Sequence, residues 1–152
     1  MNLLLNVKNI QEYKSHSQIA RIVTEGWMAE NMYCPHCGCL HIEHLANNSP
    51  VADFVCPECR NEYELKSKQG SFDKKINDGA YSKMIERITS NENPDFFMMD
   101  YSLEENKIRN LSLVPKYFFV PDIIEKRKPL SPNARRAGWV GCNILYWQIP
   151  EQ

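Results

Sequence analysis

Four cysteines stand in two Cys-x-x-Cys pairs, Cys34/Cys37 and Cys56/Cys59. A short charged run, Glu64-Leu65-Lys66, follows the second pair, and between the pairs Asp53 interrupts the apolar run Val51-Ala52-Asp53-Phe54-Val55. Thiolates at this spacing suit a soft metal. Zinc takes four such donors at tetrahedral corners, and C-x2-C-x18-C-x2-C falls in the range of zinc sites. A structural zinc on Cys34, Cys37, Cys56 and Cys59 would order a lobe that has few apolar residues of its own. Redox chemistry is the competing use, but it usually needs one such pair at a helix start in a thioredoxin-like pattern. His36, His41 and His44 are candidate substitute ligands, though exposed loop histidines are the plainer reading. Cys39 lies too close to Cys37 to make a comfortable fifth ligand, and Cys142 is left over.

The acids and the lysine suit a hard cation. Asp53, Glu64 and Lys66 form D-x10-E-x-K. Spacing alone is equally that of a solvated strand face with alternating charge. Two features favour chemistry. A carboxylate inside an apolar strand is costly unless paired or metal-bound. A hairpin also sets Asp53 and Glu64 on neighbouring strands, with Glu64 and Lys66 on one face. Mg2+ binds through one or two carboxylates and keeps several waters, so Asp53 and Glu64, with the backbone carbonyl of Leu65, make a workable cradle. Lys66 would orient an attacking water or stabilise developing charge.

These residues need elements to hold them. Ser15-x-x-Gln18 reads as a capping box, and Ile19, Val23 and Trp27 at helical spacing predict a helix over 17–32 with Trp27 in the core. Residues 39–50 read as irregular, ending in a turn at Asn47-Asn48-Ser49-Pro50. Strands are expected over 51–55 and 62–68, with Cys56-Pro57-Glu58-Cys59 at the tip between them. In the second strand Glu62, Glu64, Lys66 and Lys68 share one face, and Tyr63, Leu65 and Ser67 the other. Asp78-Gly79 reads as the start of a helix carrying Tyr81, Met84, Ile85 and Ile88 and ending at Asn91–Pro94. Phe96–Met99 reads as a buried strand, Ile108–Val114 as another, and Tyr117–Val120 as a short one. The fold class that follows is α/β or α+β, a mixed sheet flanked by helices with a four-cysteine zinc knuckle lobe.

The bulk properties fit a soluble protein. At 152 residues the chain can build one domain with a proper core. Leu3-Leu4-Leu5 is too short for a signal sequence, and no run approaches a membrane span. With 18 Lys and Arg against 19 Asp and Glu, net charge does not announce a nucleic-acid binder. Lys126, Arg127, Lys128, Arg135 and Arg136 do crowd together, and such a stripe can face a phosphate backbone. Lys126, Arg127 and Lys128 read as a solvated charge cluster. Tyr146 and Trp147 read as packing residues, and the plain reading of Trp139 is a cap on the core.

The chain resembles the catalytic domain of the DpnI-type, methyl-directed restriction endonucleases, a branch of the PD-(D/E)xK nucleases. The residues that carry the likeness are Thr24-Glu25-x-Trp27, Tyr33-Cys34-Pro35-x-Cys37-Gly38, Pro50-Val51-Ala52-Asp53-Phe54 and Glu64-Leu65-Lys66-Ser67-Lys68. Ile76-Asn77-Asp78-Gly79-Ala80-Tyr81 and Arg135-Arg136-Ala137-Gly138-Trp139 extend it. The resemblance implies a Mg2+-dependent deoxyribonuclease of the restriction-endonuclease-like fold, cutting double-stranded, adenine-methylated DNA at G(m6A)TC in a prokaryotic cytoplasm. It assigns catalysis to Asp53, Glu64 and Lys66, Mg2+ to Asp53, Glu64 and Leu65, and structural Zn2+ to Cys34, Cys37, Cys56 and Cys59. It also turns Arg135, Arg136 and Trp139 toward DNA, with the indole offered to the N6-methyl group. On this reading residues 1–152 are the nuclease domain, the zinc site is inserted at 34–59, and the family's winged-helix domain has no place in the chain. Two other functions fit the same residues: a zinc-ribbon reader of methylated DNA without catalysis, and a related nuclease with another substrate.

Overall fold

The computed structural model describes residues 1–8, 15–46 and 52–150. In chain order the elements are α1 (His16–Asn31), β1 (Glu43–His44), β2 (Phe54–Val55), β3 (Glu62–Gln69), β4 (Ile76–Ala80), α2 (Tyr81–Ile88), β5 (Asp95–Ser102), β6 (Lys107–Val114), β7 (Ile124–Lys126) and β8 (Gly141–Ile144). The fold is mixed α+β, with two α-helices among the described residues. It divides into two compact units, Met1–Ser71 with Pro94–Val114, and Phe72–Asn93 with Pro115–Gln152. No helix among the described residues is long and apolar enough to cross a membrane.

The first unit is a five-stranded sheet in the order β1-β2-β3-β5-β6. The β3–β5 pair is parallel, and the others are antiparallel. Alternation along the strands sorts the faces. Tyr63 on β3 and Phe97, Met99 and Tyr101 on β5 join Val23, Trp27 and Met28 of α1 in one buried cluster. The indole Nε1 of Trp27 donates to the carbonyl of Asn2 at 2.8 Å, so its polar edge is satisfied where it is buried. Leu5 also enters this core, and the amides of Leu5 and Ile108 bond to the carbonyls of Asn106 and Leu3.

The expected helix over 17–32 is observed as α1, but Ser15 does not cap it through its side chain. Its hydroxyl lies 2.7 Å from that of Ser17 instead. The expected hairpin is present in shortened form: Phe54 pairs with Tyr63 and Val55 with Glu62. Asp53 sits in a bend just before β2, its amide bonded to the Tyr63 carbonyl at 3.0 Å. Val51 and the expected turn at 47–50 lie outside the described residues. The stretch read as irregular contains β1, whose two residues pair with β2.

The second unit is an antiparallel three-stranded sheet, β4-β8-β7, packed by α2. Here the sequence reading needs two corrections. Asp78-Gly79 lies inside β4, not at a helix start, because a register irregularity between Asp78 and Ala80 carries the strand on to pair with Gly141. The helix begins at Tyr81, whose amide is bonded to the carbonyl of Val140. Residues 117–120 are not a strand. Lys116–Phe118 close a 3-10 turn, with the amides of Phe118 and Phe119 bonded to the carbonyls of Pro115 and Lys116.

Candidate functional site

The two knuckles are built alike. The amide of Gly38 is bonded to the carbonyl of Cys34 at 2.8 Å, and the amide of Arg60 to that of Cys56 at 3.0 Å. Each loop then turns through a left-handed residue just after its second cysteine: Gly38 at φ +83° and Arg60 at φ +63°. Glycine reaches this conformation freely, whereas arginine is strained there.

These turns bring the sulfurs of Cys34, Cys37, Cys56 and Cys59 within 4.8 Å of one another. The Cys34–Cys59 and Cys37–Cys56 pairs are each 3.6 Å apart. A tetrahedron with metal–sulfur bonds of about 2.3 Å has edges of about 3.8 Å, so the donor set fits zinc in kind and in size. Burial pushes the Cys56 thiol up, but the amides of Cys59 and Glu58 and the thiols of Cys37 and Cys34 outweigh it and lower it to about 6. At Cys59 the amide of Asn61 favours the thiolate, yet burial and the other three sulfurs drive it up to about 12. Cys34 and Cys56 are thus drawn toward the thiolate while Cys37 and Cys59 resist losing their protons, and a divalent cation relieves that resistance. Cys39 is buried nearby and is not one of the four. His36 and His41 are exposed, and His44 faces a carboxylate, so none of the histidines joins the sulfurs.

A second grouping lines an open cleft of about 290 Å³ in the same unit. Its walls include Asp53, Glu64, Leu65 and Lys66, with Arg21, Glu25 and His44. Oδ2 of Asp53 accepts the amide of Leu65 at 2.8 Å, which ties the bend before β2 to the middle of β3. Lys66 forms an ion pair with Glu64. Its ammonium also stands over the ring of Phe96, 5.9 Å from the centroid. Glu64 and Lys66 are mostly shielded, with side chains 13% and 20% exposed. The two carboxylates are hard oxygen donors on an open cleft, a set that fits Mg2+ better than a soft metal.

Sequence reasoning missed the other wall. Glu25 on α1 receives Arg21 Nε at 2.7 Å on Oε1 and stands 2.6 Å from His44 Nε2 through Oε2. The Arg21–Glu25 spacing of one helical turn was a readable signal. The partnership with His44, across 19 residues, was not.

Arg135, Arg136 and Trp139 lie in the second unit, on the loop that joins β7 to β8. The amide of Leu130 bonds to the carbonyl of Trp139, and that of Gly138 to the carbonyl of Leu130, so the loop continues the hairpin. Arg135 and Arg136 are exposed at its tip. The guanidinium of Arg136 stacks on the indole of Trp139 at 4.4 Å. The edge of that indole lies on Gly141, where a methyl group would meet Cζ3 at 2.7 Å and Cη2 at 2.8 Å. Trp139 is thus half-buried and fixed between an arginine and bare backbone. Lys126 is exposed, as the solvated-cluster reading expects, and stands over Tyr81, 5.5 Å from its ring centroid. Phe72 and Tyr146 pack at 5.6 Å, whereas Trp147, read as packing, is largely exposed.

A model of the DpnI family, described as the Dam-replacing family, matches residues 1–152, and the chain belongs to that family.

Proposed function

We propose that the protein is a Mg2+-dependent restriction endonuclease of the PD-(D/E)xK type that hydrolyses adenine-methylated duplex DNA, with G(m6A)TC as its site. Family membership supports the restriction role. The single observation that carries the catalytic part is that Asp53, Glu64 and Lys66 line one cleft.

In this reading Asp53 and Glu64 would hold the metal, with the Leu65 carbonyl as a third oxygen donor. Bound Mg2+ would supply a Lewis acid to the phosphodiester and acidify a coordinated water. The protein's own groups do the rest. The Leu65 amide fixes one oxygen of Asp53, which leaves the other for a ligand and removes a rotamer to be frozen on binding. Lys66, paired with Glu64, would orient the water or balance charge on the phosphate as it builds. The four cysteines would hold a structural zinc, and the knuckle they form precedes β3, which carries Glu64 and Lys66.

Arg135 and Arg136 supply phosphate or guanine contacts. Trp139 presents an apolar face to the methyl group, which projects from the major-groove edge of adenine. The test is plasmid cleavage. Methylated plasmid should be cut in Mg2+, whereas unmethylated plasmid, or methylated plasmid without divalent metal, should stay intact. Tight retention of methylated DNA with no cutting in any divalent metal would refute the enzyme and leave a methyl-DNA reader.

A further inference from the structure

Glu25 is a carboxylate on a helix face that lines the cleft, and its side chain is only 16% exposed. An i,i+4 pair with Arg21 stabilises an exposed helix only slightly, which is little reason to shield an acid. The second partner gives a better one. His44 reaches Glu25 from β1, and its ring stands edge-on to Phe54, 5.1 Å between centroids at 88°. With Nε2 taken by Glu25 and the ring braced by Phe54, Nδ1 is the ring nitrogen left for a ligand, and it serves an anion as the N–H of the imidazolium.

Both oxygens of Glu25 are therefore engaged, one by Arg21 and one by His44. Glu25 is not assembled with Asp53 and Glu64 as a further metal ligand: among the described residues the four cysteines are the one group of three or more metal-binding side chains drawn together. What Glu25 does is hold a guanidinium and an imidazole on a wall of a cleft that also contains acids. A polyanion enters such a cleft more readily where cations on its wall offset those acids.

We propose that Glu25 is a positioning residue that holds Arg21 and His44 as an anion-binding wall, and that the anion is a backbone phosphate of duplex DNA. This rests on the preceding reading only in taking DNA as the occupant. It requires neither Mg2+ nor hydrolysis.

The test is binding of a fluorescent methylated duplex to the zinc-replete protein, without added divalent metal, over a salt series. Arg21→Ala and His44→Ala should each weaken binding about five- to tenfold and lower the salt slope by about one. Glu25→Ala is the sharpest arm. It deletes a negative charge, so an acid that merely repels DNA would bind more tightly once removed; the positioning role predicts weaker binding instead. Glu25→Gln, which keeps an acceptor, should recover part of the loss, and it carries the test if Glu25→Ala fails to fold. Zinc content and melting temperature are the controls for fold. Unchanged or tighter binding in these variants overturns the proposal, as does a wild type that binds no duplex. If the wild type cuts methylated plasmid while all four variants bind normally, this inference falls alone. If the variants lose binding as expected while the wild type never cuts, the inference stands and the nuclease reading falls.

Discussion

The hydroxyl of Tyr63 lies 3.0 Å from Sγ of Cys34, in a fully buried contact. Tyr63 is the residue before Glu64 on β3, so the sulfur cluster and the cleft are one residue apart along the same strand. A phenol O–H aimed at a thiolate is the kind of outer partner that orients a metal ligand.

On the proposed zinc site, stripping the metal should therefore disturb the cleft as well as the knuckles. Cys37→Ser, or prolonged chelation, is expected to abolish cleavage together with the cooperative melting of the first unit. Tyr63→Phe should keep its zinc and lose about 0.5–1.5 kcal/mol of stability. Elemental analysis and thermal melts check both, and a chelated protein with unchanged melting would contradict the arrangement.

Arg60 sits where its counterpart in the first knuckle is Gly38. Arg60→Gly should relieve a left-handed arginine and stabilise the fold by up to about 1 kcal/mol, and Gly38→Ala should destabilise it by a similar amount or more. Denaturant midpoints measured on zinc-replete protein decide the signs.

At Gly141 the close approach of Trp139 leaves no room for a side chain. Gly141→Ala should push the indole off its seat and cost about 1–3 kcal/mol. On the proposed role of Trp139 it should also reduce the preference for methylated over unmethylated duplex, with zinc content unchanged. Competition binding with the two duplexes is the measurement.

Burial raises the pKa of Tyr101 above the ordinary tyrosine range. The folded state thus favours the protonated phenol. Its contribution to stability is whole below about pH 10, the unfolded value, and is lost as pH rises beyond it. Urea melts at increasing alkalinity should show this decline, and Tyr101→Phe should flatten that part of the profile.

What could be read from the chain follows from how local each signal is. A Cys-x-x-Cys turn is a four-residue object, so both knuckles were legible, as were α1 from the period of Val23 and Trp27 and the alternation of β3. The second sheet was not. β7 and β8 have three and four residues, too short for a period to register, and Asp78-Gly79 resembles a helix start until its pairing with β8 is known. His44 looked like a loop histidine because its partner, Glu25, belongs to a different element. The cleft's acids were found because an aspartate within an apolar run is conspicuous, whereas its cationic wall was hidden by ordinary helix chemistry.

The central claim is that Asp53, Glu64 and Lys66 act together on a phosphodiester. The most direct measurement is single-turnover cleavage of methylated plasmid in Mg2+ by Asp53→Asn and Lys66→Ala, each matched to the wild type in zinc content and melting temperature. The account predicts that both rates fall by about 100-fold or more. Wild-type rates in either properly folded variant would contradict it.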